Sequence, residues 1–349
     1  MTQRANGSPW WAPARHADRR GFLAARAAVA RDLRALFAAA GFTEVETAIL
    51  QVSPGNEIHL HAPSTQVTDA AGARFTRYLR TSPEFACKKL LAAGEQRIVE
   101  FARVFRDREA GDLHLPEFTM LEWYRAGEGL EAVIADTLAV VLAAARATAI
   151  TTFNFRGRSA DPFAAPERLT VADAFARHAA VDLLSTISAG EGDRDRLAGL
   201  AAPLIKVAAD DTWSDIFSKL LVTFVEPQLG NGRITVLSDY PAPEAALARL
   251  SRNDARVAER FELYACGVEL ANGFAELTDA AEQRRRFAEA MDEKERRYGE
   301  RYPIDDDFIA AVAEMPEASG VALGFDRLVM LAAGARRIDD VVWTPGARS

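Results

Sequence analysis

The chain has 349 residues, of which 49% are hydrophobic and 26% are charged, and its formal net charge is −8. This composition is typical of a globular protein, and the negative charge argues against general binding to a nucleic-acid backbone. The two cysteines, Cys87 and Cys266, lack the spacing of a zinc site or a disulfide framework. No apolar run reaches membrane-spanning length, and residues 1–20 lack the apolar core of a signal peptide. We therefore expect a cytoplasmic protein without a membrane partner.

In chain order, residues 1–20 are predicted to form an N-terminal arm, anchored at most by Trp10 and Trp11, and residues 21–349 to form one domain. Hydrophobic spacing in this domain alternates between helical and strand periodicity. Helices are predicted at residues 22–40, 84–92, 130–146, 170–178, 213–225 and 280–299, and β-rich segments at 42–50, 75–80, 98–105 and 118–124.

The later part of the chain is less regular. Residues 150–232 form a mixed region, in which the acidic, glycine-containing run at 188–196 is the expected surface loop. FELYACGVEL (261–270) alternates like a β-hairpin, and GVALGFDRLVMLAAG (320–334) has the pattern of strand, turn and helix. The pattern predicts an α+β fold, with an antiparallel β-sheet flanked by helices.

The segment FTMLEWY contains a carboxylate in an apolar setting. As a strand, it places Phe118, Met120, Glu122 and Tyr124 on one face, and the residues between them on a core face. Ionised carboxylates are seldom buried without a partner. The first face would therefore suit a small cationic ligand, and an internal salt bridge to a nearby arginine is an equally good explanation.

A second group of carboxylates lies in the predicted hairpin. If the chain turns at Ala265 and Cys266, Glu262 and Glu269 are directly opposed across the strands, where like charges repel. A divalent cation would reverse the sign of this interaction, since Mg²⁺ prefers carboxylate and phosphate oxygens. A three-residue turn would break this register, so the pairing depends on the turn.

Other polar residues follow. Asn272 and Glu276 lie just downstream, although Asn-Gly at 272–273 is also a strong signal for a plain turn. Arg106 could bind a phosphate or carboxylate through two parallel hydrogen bonds, and Arg327 falls in the first turn of a helix, where anions are favoured. His114 is most simply a structural hydrogen-bonding residue.

In combination, these segments resemble class II aminoacyl-tRNA synthetases. RTSPEFACKKLLAAG and VFRDREAGDLHLPEFTMLEWYR resemble motif 2 and its lead-in, GVALGFDRL resembles motif 3, and the helix at 22–40 with GFTEVETAIL resembles motif 1. SPE, PEFTMLEWY and FELYACGVELANGFAEL are similar to the lysine-specific branch.

One feature distinguishes the chain within this branch. Motif 1 begins near residue 22, which leaves no room for the anticodon-binding domain that precedes it in lysyl-tRNA synthetases. The shortened form resembles the elongation factor P lysyltransferases, which attach lysine or β-lysine to a lysine side chain of elongation factor P. The WWAP segment is similar to the N-terminal arm of that family. We therefore expect no direct recognition of a tRNA anticodon.

The resemblance implies a class II synthetase catalytic core that is a homodimer, with ATP as substrate, Mg²⁺ as cofactor and elongation factor P as acceptor. Lysine or β-lysine would be activated as an adenylate. The implied substrate-binding residues are Glu122, Tyr124 and Glu276 for the distal ammonium, Glu84 for the nearer amine, and Asn272 with Arg106 for the carboxylate. The implied ATP-binding residues are Arg106, Glu109, His114, Phe118 and Arg327, of which Arg106 and Arg327 would be catalytic, and Glu262 and Glu269 would bind Mg²⁺.

The sequence departs from the family pattern at several positions. Ala48 replaces the proline of motif 1, Leu115 replaces a polar residue, and Arg108 stands where a glutamate would read the adenine amino group, with Glu109 one step later. Ala322 matches the lysyltransferase branch, where lysyl-tRNA synthetases have glycine, and its methyl group favours β-lysine over lysine. Two other classes of function are a non-catalytic paralogue that regulates a partner by binding, and a ligase that loads another carrier.

Overall fold

The structure is a computed structural model in which residues 9–346 are described. In this part of the chain, the α-helices are α1 (Pro13–Ala39), α2 (Glu84–Ala92), α3 (Leu130–Ala147), α4 (Val171–Ala179), α5 (Arg194–Ala201), α6 (Trp213–Leu220), α7 (Ala280–Tyr298), α8 (Asp306–Glu314) and α9 (Phe325–Ala332). None of these helices is long and apolar enough to cross a membrane.

The strands of the same region are β1 (Thr43–Glu44), β2 (Leu50–Gln51), β3 (Ser64–Thr68), β4 (Arg74–Leu79), β5 (Arg97–Phe105), β6 (Glu117–Ala126), β7 (Phe153–Phe155), β8 (Arg158–Asp161), β9 (Glu167–Thr170), β10 (Ile187–Ser188), β11 (Glu191–Gly192), β12 (Gly232–Arg233), β13 (Thr235–Pro241), β14 (Val257–Ala265), β15 (Val268–Ala275) and β16 (Ala318–Gly324). Eight of them form the central sheet, in the order β1-β5-β6-β16-β15-β14-β13-β9. The run from β5 to β13 is antiparallel, and the edge strands β1 and β9 are parallel to their neighbours. The predicted α+β class with an antiparallel centre is confirmed.

The alternation of side chains along β6 determines which face of the central sheet packs against the core. Leu121 and Trp123 are fully buried in the main hydrophobic core, against side chains of α1, α3 and α9. Because successive residues of a strand point to opposite faces, Met120, Glu122 and Tyr124 project from the other side. The predicted division of this strand into a core face and a polar face is therefore correct.

A buried polar network joins the first helix, the central strand and the last helix. The guanidinium of Arg26 on α1 forms an ion pair with Asp326 on α9 and donates a 2.9 Å hydrogen bond to Thr119 on β6. The backbone N–H of Thr119 donates to the other carboxylate oxygen of Asp326 at 3.0 Å. Three segments that are far apart in sequence are thereby fixed relative to one another.

The N-terminal arm is shorter than predicted. Helix α1 begins at Pro13, so the assignment of residues 13–20 to a loose arm was wrong. Proline is favourable in a first helical turn because its missing N–H would have no partner there. Trp11 is 66% exposed and anchors little. Residues 1–8 lie outside the described residues.

The acidic run at 188–196 is not a plain surface loop. It contains the short antiparallel pair β10–β11, whose turn at Ala189 and Gly190 has positive φ at both residues, and the start of α5. Ala189, Gly190 and Glu191 line the large cavity described below. The prediction failed because strand pairs of two residues leave no periodic signal.

Candidate active site

A cavity of about 820 Å³ lies over the polar face of the central sheet. The predicted site residues that line it are Glu84, Arg106, Glu109, His114, Phe118, Glu269, Asn272 and Arg327. The other four, Glu122, Tyr124, Glu262 and Glu276, are at most 7% exposed and lie in the protein beside it. The structure thus brings residues from widely separated parts of the sequence together in one region.

Sheet register explains how these residues meet. Asn272 on β15 pairs directly with Ala322 on β16, which pairs with Glu122 on β6. The same row continues to Glu262 on β14 and to Glu100 on β5. Directly opposed residues project from the same face, so one row across five strands carries three carboxylates. Asn272 is part of a strand, which excludes the plain turn considered from the sequence.

Glu122 has no cationic partner among the described residues. The Tyr124 hydroxyl donates to its Oε1 at 2.5 Å, and the Ser82 hydroxyl donates to its Oε2 at 2.8 Å. Burial, followed by the negative charge of Glu84, raises the pKa of Glu122 to about 8, although the two hydrogen bonds act in the other direction. The internal salt bridge that the sequence left open does not form.

Lys88 is a member of the site that sequence reasoning missed. Its side chain is 1% exposed, and its ammonium lies 2.6 Å from Glu84 Oε1 and 2.7 Å from Glu276 Oε2. Burial alone would lower the pKa of Lys88, but the two carboxylates raise it above its ordinary value. The i,i+4 spacing of Glu84 and Lys88 on the predicted helix was a usable signal.

Charge in this part of the site is therefore unbalanced. Among the described residues, Glu84 and Glu276 share the ammonium of Lys88, and Glu122 has no ion-pair partner. Burial raises the pKa of Glu276 to about 7, even though Lys88 acts to lower it. A second ammonium would relieve this imbalance, and we refer to these four residues with Tyr124 as the acidic pocket.

Arg106 and Phe118 form the wall of the cavity at the start of β6. The guanidinium carbon of Arg106 is 5.4 Å from the centroid of the Phe118 ring. Its Nε donates to the carbonyl of Thr81 at 3.3 Å, and its Nη1 is 4.0 Å from Glu109. The cation is thus held loosely, and most of its hydrogen-bonding capacity remains for a ligand.

Arg327 is held more firmly. Its Nη1 donates to the carbonyl of Glu269 at 2.9 Å, and its Nη2 donates to Nε2 of His114 at 2.6 Å. Burial and the charge of Arg327 both lower the pKa of His114, so the ring is neutral and can accept this bond. His114 therefore orients an arginine, which is the structural role expected for a lone histidine.

The predicted register of the carboxylate hairpin was wrong. The chain turns at Cys266 and Gly267, with φ of 54° and 71°, one residue later than assumed. A bulge follows, so Glu262 pairs with Asn272 and is not directly opposed to Glu269. A non-glycine residue with positive φ is uncommon, and Cys266 gives no sequence signal for it.

Glu262 and Glu269 remain electrostatically linked despite this register. Glu262 accepts hydrogen bonds of 2.6 Å from Arg260 and from the Tyr264 hydroxyl, whereas burial and then Glu262 raise the pKa of Glu269. Glu226, which the sequence did not indicate, joins them: burial and the same two carboxylates raise its pKa to about 7. Within residues 9–346, no three ligating side chains are close enough to hold a metal ion by themselves.

The structure explains why Arg108 and Glu109 depart from the family pattern of motif 2. Arg108 has a positive φ of 63°, and its guanidinium forms an ion pair with Glu300 outside the cavity. Glu109 lines the cavity instead.

Two other positions also depart from the family pattern. Leu115 is 5% exposed and packs in the main core. Ala48, which replaces a proline, is exposed, and we find no structural reason for this replacement.

Replacing Lys88 by methionine removes the shared cation and leaves Glu84 and Glu276 unpaired. We expect the free energy of unfolding to fall by about 3–5 kcal/mol, because losing one partner of a buried ion pair strands the other. Urea unfolding followed by circular dichroism measures the loss. The neighbouring Lys89→Met is the matched control, since Lys89 is 30% exposed and its ion pairs are worth about 0–1 kcal/mol. Equal losses in the two variants would show that Lys88 does not neutralise a buried carboxylate pair.

Comparison with known proteins gives a consistent result. Residues 10–348 match the family model for class II tRNA synthetases (D, K and N). The chain is 40% identical over 335 residues to proteins of Yersinia enterocolitica and Proteus mirabilis, covering 94% of this chain and 95% of each relative. It is 40% identical over 328 residues to a protein of Salmonella arizonae, covering 92% of this chain and 93% of that relative. All three relatives are named elongation factor P–(R)-β-lysine ligase.

The family match extends over nearly the whole chain, and the sheet and the cavity with Arg106 and Arg327 lie within it. The chain belongs to the class II tRNA synthetase family that comprises the D, K and N enzymes.

Proposed function

We propose that the protein activates (R)-β-lysine or lysine with ATP and transfers the acyl group to a lysine side chain of elongation factor P. The observation that carries this proposal is the acidic pocket, in which Glu122 is buried without a cation next to a cavity that also contains Arg106 and Arg327. The relatives named (R)-β-lysine ligases support the acceptor and the amino acid. Such an enzyme is an ATP-dependent ligase.

The acidic pocket supplies recognition. The distal ammonium of the substrate binds against Glu122 and Tyr124, with Glu276 nearby, and adds the cation that this region lacks. Glu84 takes the nearer amine, while Asn272 with Arg106 holds the carboxylate. An analogue without the distal ammonium leaves a buried carboxylate unpaired, so discrimination against it should be strong.

The ATP-binding residues lie on the other side of the cavity. Adenine stacks between Phe118 and Arg327, and His114 keeps Arg327 in place through its 2.6 Å hydrogen bond. Glu109 takes the adenine contact that the family assigns to the preceding position, since Arg108 points away from the cavity.

Adenylation needs little besides positioning and charge. The carboxylate of the amino acid attacks the α-phosphorus, the bond to the β-phosphate oxygen breaks, and pyrophosphate leaves. Arg106 and Arg327 stabilise the charge that develops on the phosphoryl oxygens. Neither arginine has to move a proton.

The two carboxylates Glu262 and Glu269 fit Mg²⁺. They are hard oxygen ligands, and the pKa of Glu269 is raised because burial and Glu262 outweigh Arg327, whose Nη1 is 3.6 Å away. Water and phosphate oxygens would supply the remaining ligands of Mg²⁺. Bound there, the ion would neutralise charge on the ATP phosphates. Arg260, which pairs with Glu262 in the structure, would either give up this ion pair or keep it while Glu262 binds Mg²⁺.

The preferred isomer follows from the space near the amino group of the substrate. The Ala322 methyl lies between Asn272 and Glu122 in the row across the sheet, so it narrows that space. A substrate whose amine is displaced by one carbon fits this narrowing better. We therefore propose (R)-β-lysine as the preferred substrate.

We also propose a cytoplasmic homodimer that does not read a tRNA anticodon. Cys87 and Cys266 are both buried and unbridged, which suits a reducing compartment. Leu50 on β2 and Phe75 on β4 are 44% and 41% exposed on a small separate sheet. Exposed apolar residues on one sheet favour an interface with a second copy.

ATP–pyrophosphate exchange, followed by transfer of labelled amino acid to purified elongation factor P, tests the function. We expect exchange with (R)-β-lysine above that with (S)-β-lysine, lysine or other amino acids, and covalent labelling of elongation factor P. Arg106→Ala should lower both rates by on the order of 10²–10³-fold, comparable to loss of an oxyanion donor.

Three results would count against the proposal. No exchange with any amino acid would favour the non-catalytic paralogue. Exchange without labelling of elongation factor P would favour a ligase for another carrier. A near-wild-type rate in Arg106→Ala would refute the role of that residue.

Binding of the substrate should release protons near neutral pH. In the free protein Glu122 has a pKa of about 8, so it is largely protonated at pH 7. An ammonium beside it favours the ionised form and lowers this pKa, so up to about one proton leaves on binding. Calorimetric titration with (R)-β-lysine at pH 7, in buffers of different ionisation enthalpy, counts the protons. Glu122→Gln should release fewer, and an equal count in the two proteins would show that Glu122 does not face the substrate.

A further inference from the structure

The segment 53–61 passes along the rim of the cavity and is fixed from behind by a buried lysine. Lys294 on α7 is fully buried, and its ammonium donates to the backbone carbonyls of Glu57, Ile58 and Leu60 at 3.4, 3.0 and 2.6 Å. A lysine ammonium has three donor hydrogens, and here each has a carbonyl acceptor. The backbone of this segment is therefore held in one place.

Further contacts secure both ends of the segment. The Asn56 side chain donates to the carbonyl of Pro303 at 3.3 Å, and Nδ1 of His61 is 2.7 Å from a carboxylate oxygen of Glu300. Gly55 has a φ of +125°, which glycine adopts at little cost.

Glu57 differs from the other carboxylates around the cavity. Its side chain lines the cavity and is accessible from it, but forms no hydrogen bond or ion pair within residues 9–346. In contrast, Glu84 and Glu276 share Lys88, and Glu262 pairs with Arg260. A rigid backbone thus presents a carboxylate that has no partner among the described residues.

Glu57 is close enough to several charged residues of the proposed active site for their charges to act on its pKa. Burial by the surrounding protein raises its pKa, Arg106 lowers it, and Glu84, Arg260 and Glu109 also act on it. These groups come from three separate elements: α2, β14, and the connection between β5 and β6 that carries both Arg106 and Glu109. Glu57 therefore lines the same cavity as Glu84 and Arg106, the residues proposed to bind the amine and the carboxylate of the substrate.

The proposed reaction requires a base that adenylation does not. An acceptor lysine is an ammonium at neutral pH, since its ordinary pKa is about 10.4. It cannot attack the adenylate until it loses a proton. We propose that Glu57 is the general base of the transfer step, which accepts this proton from the acceptor lysine of elongation factor P. The inference rests on the function proposed above.

In the transfer step, one proton passes from the acceptor ammonium to the Glu57 carboxylate, and the free amine attacks the carbonyl carbon of the adenylate. The new C–N bond forms, the C–O bond to the phosphate breaks, and its electron pair leaves with AMP. The second proton of the attacking nitrogen passes to water, and Glu57 returns its proton to solvent after the product leaves. The carboxylate can accept this proton because it is accessible from the cavity and has no partner among the described residues.

Measuring adenylation and transfer separately distinguishes a general base from a residue with a structural role. In Glu57→Gln, pyrophosphate exchange with (R)-β-lysine should proceed at about the wild-type rate and KM, while single-turnover transfer to purified elongation factor P falls by on the order of 10²-fold or more. The defect should shrink as the pH rises, because the acceptor then loses its proton to solvent. Transfer to hydroxylamine, an amine that is uncharged at neutral pH, should be unaffected.

Glu191→Gln is the matched control. Glu191 also lines the cavity and is exposed, and the same change there should leave exchange and transfer unaltered. Normal transfer to elongation factor P by Glu57→Gln would overturn the inference. So would a raised KM for (R)-β-lysine in exchange, which would place Glu57 at the substrate amine, or an equal loss with hydroxylamine. If the wild-type protein itself fails in exchange, the proposed function fails, and the inference with it.

Discussion

Carboxyl groups outnumber cationic groups among the described side chains of the acidic pocket, and the rest of the site depends on this imbalance. In the part of the chain that the structure describes, Glu84 and Glu276 pair with Lys88, and Glu122 pairs with no cation. An ionised carboxylate in the protein interior is unfavourable without a partner, which is why the pKa of Glu122 rises to about 8. The fold holds these groups in place despite that cost, so a ligand that brings an ammonium gains binding free energy and specificity together.

The sheet provides the precision that such a site needs. Its register places Asn272, Ala322 and Glu122 in one row. A Cβ atom at Gly320 would lie 2.3 Å from the Tyr124 ring and 2.6 Å from Glu276 Oε1. Gly320 therefore lets buried polar groups approach the backbone closely.

Much of this arrangement could be predicted from sequence where a short-range pattern carried it. The alternation of side chains in FTMLEWY predicted the polar face of β6. The helix predicted at residues 84–92 has the same bounds as α2. The register of β14 and β15 could not be predicted, because it depends on a positive φ at Cys266 and on a bulge. Glu57 and Glu226 were missed for a different reason: each faces the site only through contacts distant in sequence, which no local period reveals.

The central claim is that Glu122 faces the distal ammonium of the substrate. The most direct test compares kcat/KM in pyrophosphate exchange for (R)-β-lysine and for the β-amino acid of the same carbon chain that lacks the distal amine. Wild-type protein should prefer (R)-β-lysine by roughly 10⁴–10⁵-fold, as for other sites built around a buried polar contact. In Glu122→Gln this ratio should collapse by roughly 10²-fold or more, since the lost contact is a buried charge pair. A variant that slows both substrates equally and keeps the ratio would contradict the account.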